Sequence, residues 1–94
     1  MSVMAPPAKV IHKIEKYLAM RGYRHVKIDY KSGEIKAERK KVFFRRSDHI
    51  MLKVKQAERE STNIELTLNP EHTIKNYIEE QREVKLRNKM IFYL

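Results

Sequence analysis

The residues with the clearest chemical potential form one basic and aromatic stretch, 39–46, with the sequence RKKVFFRR. Guanidinium and ammonium groups neutralise phosphates, and an exposed phenylalanine can stack on a nucleic-acid base. Because phosphate contacts carry no sequence information, the stretch predicts salt-sensitive binding of a polyanion, nucleic acid first, with little sequence preference. The predicted contact residues are Arg39, Lys40, Lys41, Phe43, Arg45 and Arg46, supported by Lys13 and Lys16.

The same stretch also has a purely structural interpretation. Its basic side chains would then form the solvated face of a strand and its turn, with Phe43 or Phe44 in the core. An acidic membrane surface is a further candidate partner, because clustered basic residues also attract anionic lipid. Salt-sensitive binding to nucleic acid would separate the first interpretation from the other two.

The other chemically capable residues form no catalytic or metal-binding pattern. Residues 47–49 have the types of a catalytic triad, but neighbours in sequence do not reach the triad's spatial geometry. Ser47 and Asp48 are instead predicted to form a turn. The histidines show no helical i, i+4 pair and no cysteine partner, which predicts surface positions rather than a zinc site. They are His12, His25, His49 and His72.

Three further classes of site are disfavoured. The acidic group Glu79, Glu80 and Glu83 alternates with cations, which is typical of a solvated helix face. These cations are Lys75, Arg82, Lys85 and Arg87. A chain without cysteine has no thiol nucleophile and no thiolate metal site. Two glycines cannot build a glycine-rich phosphate loop. We therefore expect a binding protein with no enzymatic activity, no metal and no cofactor.

Length and composition predict one α+β domain over residues 1–94, with residues 1–6 as a loose tail. The 94 residues are 41% hydrophobic and 35% charged, which is typical of a globular chain. At this size roughly 60 to 65% of the surface can be buried, which favours one sheet layer covered by helices. No secretory signal and no apolar run of about 20 residues is present, so a cytoplasmic location is expected.

The formal charge of +9 is distributed unevenly along the chain. Residues 1–49 hold thirteen Lys or Arg against five Asp or Glu, whereas residues 50–94 hold eight against seven. Charge asymmetry of this kind indicates an anionic partner for the basic half.

Hydrophobic periodicity predicts a first helix and then two antiparallel hairpins. The helix begins at Pro6-Pro7 and ends at Gly22, with a buried stripe of Val10, Ile14, Tyr17 and Leu18. The first hairpin turns at Ser32-Gly33, pairs Tyr30 with Ile35 and places Tyr30 inward. The second turns around Arg59 and pairs Leu52 with Leu66, Val54 with Ile64 and Ile50 with Leu68.

A second helix is predicted to begin at Asn69-Pro70-Glu71, with Asn69 as the N-cap. Its inward stripe would contain Ile74, Tyr77 and Ile78, extended by Val84 and Ile91. The apolar residues 90–94 end this helix in the core, form an extra strand or lie against a partner.

These elements predict a four-stranded antiparallel meander, α-β-β-β-β-α, with both helices packed on one face. The element order resembles the helix-grip and related small α+β folds. The opposite sheet face would be polar and solvent-exposed. Besides polyanion binding, the sequence supports a second hypothesis: a protein–protein interaction module or homodimer that uses this sheet face or the apolar C-terminal tail.

Overall fold

The computed structural model describes residues 2–40, 47–58, 61–71 and 76–94. Within these ranges the elements in chain order are β1 (Ser2–Val3), α1 (Pro7–Met20), β2 (Arg24–Asp29), β3 (Glu34–Lys40), β4 (Ser47–Gln56), β5 (Thr62–Leu68) and α2 (Tyr77–Tyr93). The strands form one antiparallel sheet in the order β1-β5-β4-β3-β2. The predicted α+β fold with a meander of β2 to β5 is therefore confirmed.

Both helices cover one face of the sheet, as predicted. α1 packs on β4 and β2, α2 packs on β5, and the two helices contact each other. The apolar side chains between these layers form the core: Val10, Ile11, Ile14, Tyr17, Leu18, Tyr23, Ile35, Ala37, Ile50, Leu52, Val54, Ile64, Leu66, Leu68 and Met90. None of the helices in the described ranges is long and apolar enough to cross a membrane.

The segment predicted as a loose tail includes a short edge strand. In β1, Ser2 pairs with Asn63 and Val3 with Thr62 of β5. The Thr62 hydroxyl also donates a hydrogen bond to the carbonyl oxygen of Ala5 at 2.6 Å. These contacts attach the beginning of the chain to the outer edge of the sheet.

The end of α1 follows the predicted glycine cap. Gly22 has φ +80°, and its N–H donates to the Ala19 carbonyl at 3.2 Å. The next N–H, of Tyr23, donates to the Leu18 carbonyl at 2.9 Å. This pair of bonds is a Schellman motif, which satisfies the last carbonyls of the helix. It also turns the chain so that Tyr23 is buried at the start of β2.

The β4–β5 hairpin has the predicted register. Leu52 pairs with Leu66, and the flanking pairs are Val54 with Ile64 and Ile50 with Leu68. These side chains are all buried on the helix-covered face. The predicted centre of the loop, Arg59, lies outside the described residues.

The β2–β3 hairpin is displaced by two residues from its predicted register. Ile28, not Tyr30, pairs with Ile35, and Tyr30 lies exposed in the turn. The cause is a longer turn, in which Asp29 Oδ1 accepts the N–H groups of Lys31 at 3.0 Å and Ser32 at 3.3 Å. These two bonds hold the pKa of Asp29 below its usual 3.8, with the Ser32 bond the larger cause.

The predicted start of the second helix is wrong. Asn69 has a left-handed backbone with φ +50° and is hydrogen-bonded to β4, so Asn69-Pro70-Glu71 forms a turn. The N-cap of α2 is Asn76, whose side-chain oxygen accepts the Glu79 N–H at 2.9 Å. Asn76 and Glu79 have the spacing of a capping box. The prediction chose Asn69 instead, because Asn-Pro-Glu is also a typical helix start.

The predicted inward stripe of α2 is wrong as well. Tyr77, Ile78, Val84 and Ile91 are exposed, Tyr77 to 74%, and Ile74 lies outside the described residues. The helix instead contacts the core through Met90, which is fully buried, and through Leu86 and Leu94. Helical structure continues to Tyr93, and Phe92 is 94% exposed. The apolar residues 90–94 are therefore the C-terminal end of α2, and α2 packs on the core through a face other than the predicted one.

The Gly33 backbone lies close to Val54 of β4. Its carbonyl accepts the Val54 N–H at 2.8 Å, and a Cβ at Gly33 would overlap the Val54 carbonyl oxygen. Gly22 has a similar positive φ, but a Cβ there would meet nothing within 4 Å.

We expect Gly33→Ala to lower the free energy of unfolding by about 3 kcal/mol, because left-handed strain and backbone overlap add. Gly22→Ala is the matched control and should cost about 1 kcal/mol, from the left-handed backbone alone. Urea unfolding followed by circular dichroism measures both. Equal losses would contradict the close approach of Gly33 to β4.

Candidate functional site

A cleft of about 190 Å³ lies between the C-terminal end of α1, the middle of α2 and the end of the sheet where β3 finishes and β4 begins. Each of these elements contributes side chains to its wall. The lining residues are Tyr17 and Arg21 from the α1 region, Arg82, Lys85, Leu86 and Lys89 from α2, and Tyr23, Arg39, Asp48 and Leu68 from the sheet side.

The charge of the cleft is strongly positive. Five cationic side chains line it against one carboxylate, Asp48, which gives a net formal charge of +4. Asp48 already forms an ion pair with Arg82. Cations gathered in a concave site raise the local positive potential, so an anion is attracted to this cleft more strongly than to a flat surface.

Asp48 is the buried carboxylate of the cleft, and polar contacts hold it in place. Its side chain is almost completely buried, and Oδ2 contacts the Arg82 guanidinium while Oδ1 accepts from Asn69 Nδ2 at 3.4 Å. Asn69 in turn accepts the His49 N–H on Oδ1 at 2.9 Å and donates its own N–H to the His49 carbonyl at 2.6 Å. A buried carboxylate requires such partners. The result is a polar junction that joins β4, the end of β5 and α2.

A second polar contact attaches α2 to the neighbouring strand, β5. The Leu68 N–H donates to Glu83 Oε2 at 3.0 Å, and Glu83 Oε1 accepts from Arg87 at 3.4 Å. Leu68 is the last residue of β5, so its N–H finds a partner on the helix. The position of α2, and with it the position of Lys85 and Lys89, thus depends on polar contacts as well as on Met90.

Two guanidinium groups of the cleft lie over tyrosine rings. Arg21 Cζ is 5.6 Å from the ring centroid of Tyr17, and Arg39 Cζ is 5.3 Å from that of Tyr23. Both distances lie within the cation–π range. The Tyr17 ring also contacts the Tyr93 ring at a centroid distance of 5.2 Å. Stacking restricts the arginines, so less conformational entropy is lost when they bind a ligand.

The hydroxyl groups of Tyr17 and Tyr23 have different environments. Tyr17 is 1% exposed, and its buried hydroxyl has no hydrogen-bond partner in the part of the chain that the structure describes. A buried hydroxyl without a partner costs about 1–3 kcal/mol. For Tyr23, burial raises the phenol pKa above its usual 10.0, while the Arg39 guanidinium opposes the shift. The Tyr23 phenol therefore keeps its proton at neutral pH.

The structure brings one residue of the predicted contact set into the cleft. Arg39 lines it, whereas Lys40 is exposed on β3 and does not. Lys13 and Lys16 are exposed on α1 and also lie outside the lining. The remaining predicted contacts, Lys41, Phe43, Arg45 and Arg46, lie outside the described residues.

Sequence reasoning missed the contribution of α2. Arg82 and Lys85 were assigned to a solvated helix face, yet with Lys89 they form a stripe at spacings of three and four residues. That spacing is a detectable signal for a one-sided cationic helix. Asp48 was predicted in a turn, but it lies in β4 and is buried. No local pattern marks it, because its partner Arg82 is distant in sequence.

Two histidines contact one carboxylate on the sheet face opposite the helices. His25 Nε2 lies 3.3 Å from Glu38 Oε1, and His49 Nε2 lies 3.4 Å from Glu38 Oε2. Their meeting follows from the pairing of Glu38 with His49 across β3 and β4. Among the described residues, no group of three or more histidine or acidic side chains could hold a metal ion.

The chain matches no protein-family model, and comparisons with curated proteins and with solved structures give no significant match. The chemistry of the cleft therefore rests on its own residues: a set of cations, two phenols and a carboxylate that Arg82 neutralises.

We expect Asp48→Asn to lower the free energy of unfolding by about 2 kcal/mol. Loss of one partner from a fully buried pair costs more, but the Arg82 side chain is 35% exposed and water compensates in part. Arg87→Gln, which removes the more exposed Arg87–Glu83 contact, is the control and should cost about 0.5 kcal/mol. Urea unfolding checks both, and equal losses would contradict the anchoring role of Asp48.

We expect the Tyr23 phenol to titrate above pH 10.0, the ordinary value, in the folded protein. Because the folded pKa is the higher one, this contribution to stability is fully present below pH 10.0 and is lost as pH rises through the folded pKa. Ultraviolet absorbance of tyrosinate measures the titration. Tyr23→Phe should remove a late component, that is, tyrosinate absorbance that appears only above pH 10.0. An unchanged late component in Tyr23→Phe would disprove the assignment.

Proposed function

We propose that this protein binds nucleic acid through a cationic surface centred on the cleft. The observation that carries the proposal is the convergence of Arg21, Arg39, Lys85 and Lys89 around a carboxylate that Arg82 already neutralises. Three separate elements supply these cations, so their meeting is a property of the fold rather than of a single charged run. A phosphate group satisfies such a site by charge and by hydrogen bonding.

The predicted contacts outside the cleft are also part of the proposal. Lys40 follows Arg39 on β3 and is exposed on the opposite face of the sheet, as the alternation along a strand requires, and Lys13 and Lys16 are exposed on α1. Residues 41–46 continue directly from Lys40, and we include Lys41, Phe43, Arg45 and Arg46 as contacts on the strength of the sequence. A strand whose phosphate occupies the cleft could then meet further cations and an aromatic ring for stacking.

The expected mode of binding is weakly specific and salt-sensitive. Each phosphate neutralised on a single strand contributes a slope of about −0.7 to the dependence of log affinity on log salt. Four phosphates contacted by the whole cationic surface would therefore give a slope of roughly −3. The proposal is one of binding without catalysis, because the cleft offers cations and protonated phenols as donors. If the protein is cytoplasmic, as expected from the sequence, RNA is the nucleic acid that it would encounter.

A protein partner or a second copy of the chain is the alternative. It is favoured by the exposed apolar side chains of α2, which include Tyr77, Val84 and Ile91 at heptad spacing and Phe92 at the C-terminal end. An exposed apolar face of this kind can mark an interaction surface. Association through it would persist at high salt, whereas polyanion binding would not.

The charge-removal test compares two variants that lose the same formal charge. The cleft variant carries Arg21→Gln, Arg39→Gln, Lys85→Gln and Lys89→Gln. The control carries Lys27→Gln, Lys36→Gln, Lys53→Gln and Lys55→Gln, all exposed on the opposite sheet face. On that face Lys53 lies between Glu34 and Glu65 of the adjacent strands, so its charge is partly balanced.

We expect the cleft variant to bind labelled oligonucleotides at least about tenfold more weakly and with a shallower salt slope, while the control stays within about threefold. Fluorescence anisotropy with single- and double-stranded DNA and RNA at two salt concentrations measures this. Equal losses in both variants would mean that net charge alone attracts the strand. No binding by the unmodified protein at low salt would overturn the proposal, and salt-resistant self-association in sedimentation would favour the alternative.

A further inference from the structure

The size of the cleft limits what it can enclose. At about 190 Å³ it is smaller than the roughly 300–1,000 Å³ typical of pockets that hold a whole small-molecule ligand. One phosphoryl group is the part of a nucleotide that a cleft of this size can surround. The base and sugar attached to such a group would remain outside, near the exposed cations.

The inner wall of the cleft has an unused polar atom. The Tyr17 hydroxyl is buried without a partner among the described residues, although Tyr17 lines the cleft. A phosphoryl oxygen is a strong acceptor for a phenolic O–H. The Tyr23 phenol is a second protonated group on the same wall, since burial keeps its pKa above the ordinary value.

The cations around this wall suit a group with several acceptor oxygens. Arg21 and Arg39 are held over the rings of Tyr17 and Tyr23, and they approach from α1 and from β3. Guanidinium groups bind phosphate oxygens in pairs. A phosphomonoester carries about −1.5 to −2 charges at neutral pH and three acceptor oxygens. An internal phosphodiester carries one charge and two free oxygens, so it uses fewer of these donors.

We propose that the cleft binds a single phosphomonoester and that, within the proposed function, this group is the terminal phosphate of a nucleic-acid strand. The inference rests on the proposed function for the identity of the strand. Arg21 and Arg39 bind the phosphate oxygens, and Lys85 and Lys89 supply further positive charge. The Tyr17 hydroxyl, which is covered in the unbound protein, is uncovered on binding and donates to one phosphate oxygen. The protein thereby prefers strand ends that carry a phosphate.

The test uses one oligonucleotide in three forms: with a 5′-phosphate, with a 3′-phosphate, and with hydroxyl groups at both ends. We expect at least one phosphorylated form to bind about tenfold more tightly than the hydroxyl form. Inorganic phosphate should compete with that form more effectively than with the hydroxyl form. Fluorescence anisotropy measures each affinity.

Tyr17→Phe assigns the preference to the cleft. It removes only the unpartnered hydroxyl and keeps the ring that contacts Arg21 and Tyr93, so the fold should be retained, as urea unfolding will check. The variant should reduce the preference for the phosphorylated form to less than about threefold, and this ratio of the two affinities is the readout. Tyr30→Phe removes an exposed hydroxyl and is the matched control, with no expected change.

Three outcomes would overturn the inference. Equal affinity for all three forms would remove the end preference and leave the proposed function intact. A preference that survives in a folded Tyr17→Phe variant would place the terminal phosphate elsewhere on the protein. If no oligonucleotide binds, both proposals fail; binding of inorganic phosphate alone would then point to a free phosphomonoester as the ligand rather than a strand end.

Discussion

The ion pair between Asp48 and Arg82 is the contact on which the cleft depends. A carboxylate buried in β4 is stable only with a cation beside it, and that cation comes from α2. The helix has few apolar residues facing the core, so the bond from Leu68 to Glu83 and the burial of Met90 complete its attachment. Lys85 and Lys89 reach the cleft because Arg82 holds the helix there.

Much of the fold could be predicted because its core elements have clear periodicity. Ile50, Leu52 and Val54 alternate with flexible or charged residues, and the residues they pair with alternate with polar ones, so a shift by one position would expose the whole apolar face. The register of the β2–β3 hairpin was harder to predict, because a side chain sets the length of its turn. Asp29 accepts two backbone N–H groups and lengthens the turn, and the glycine pattern does not reveal this.

The candidate site could be predicted only in part. Arg39 belongs to a conspicuous charged run, but the other cleft residues come together through tertiary contacts between distant segments. The stripe of Tyr77, Val84 and Ile91 predicted the wrong inward face because periodicity assumes apolar packing. In α2 the inward face also contains Arg82 and Glu83, whose partners lie on β4 and β5.

The hydrogen bond between Val54 and Gly33 has a consequence for how the sheet unfolds. It joins the turn of the β2–β3 hairpin to a residue that also pairs within the β4–β5 hairpin. Separation of the two hairpins between β3 and β4 would break this bond and expose the buried Gly33 to water. The two hairpins are therefore one cooperative unit, in which local opening of the first weakens the second.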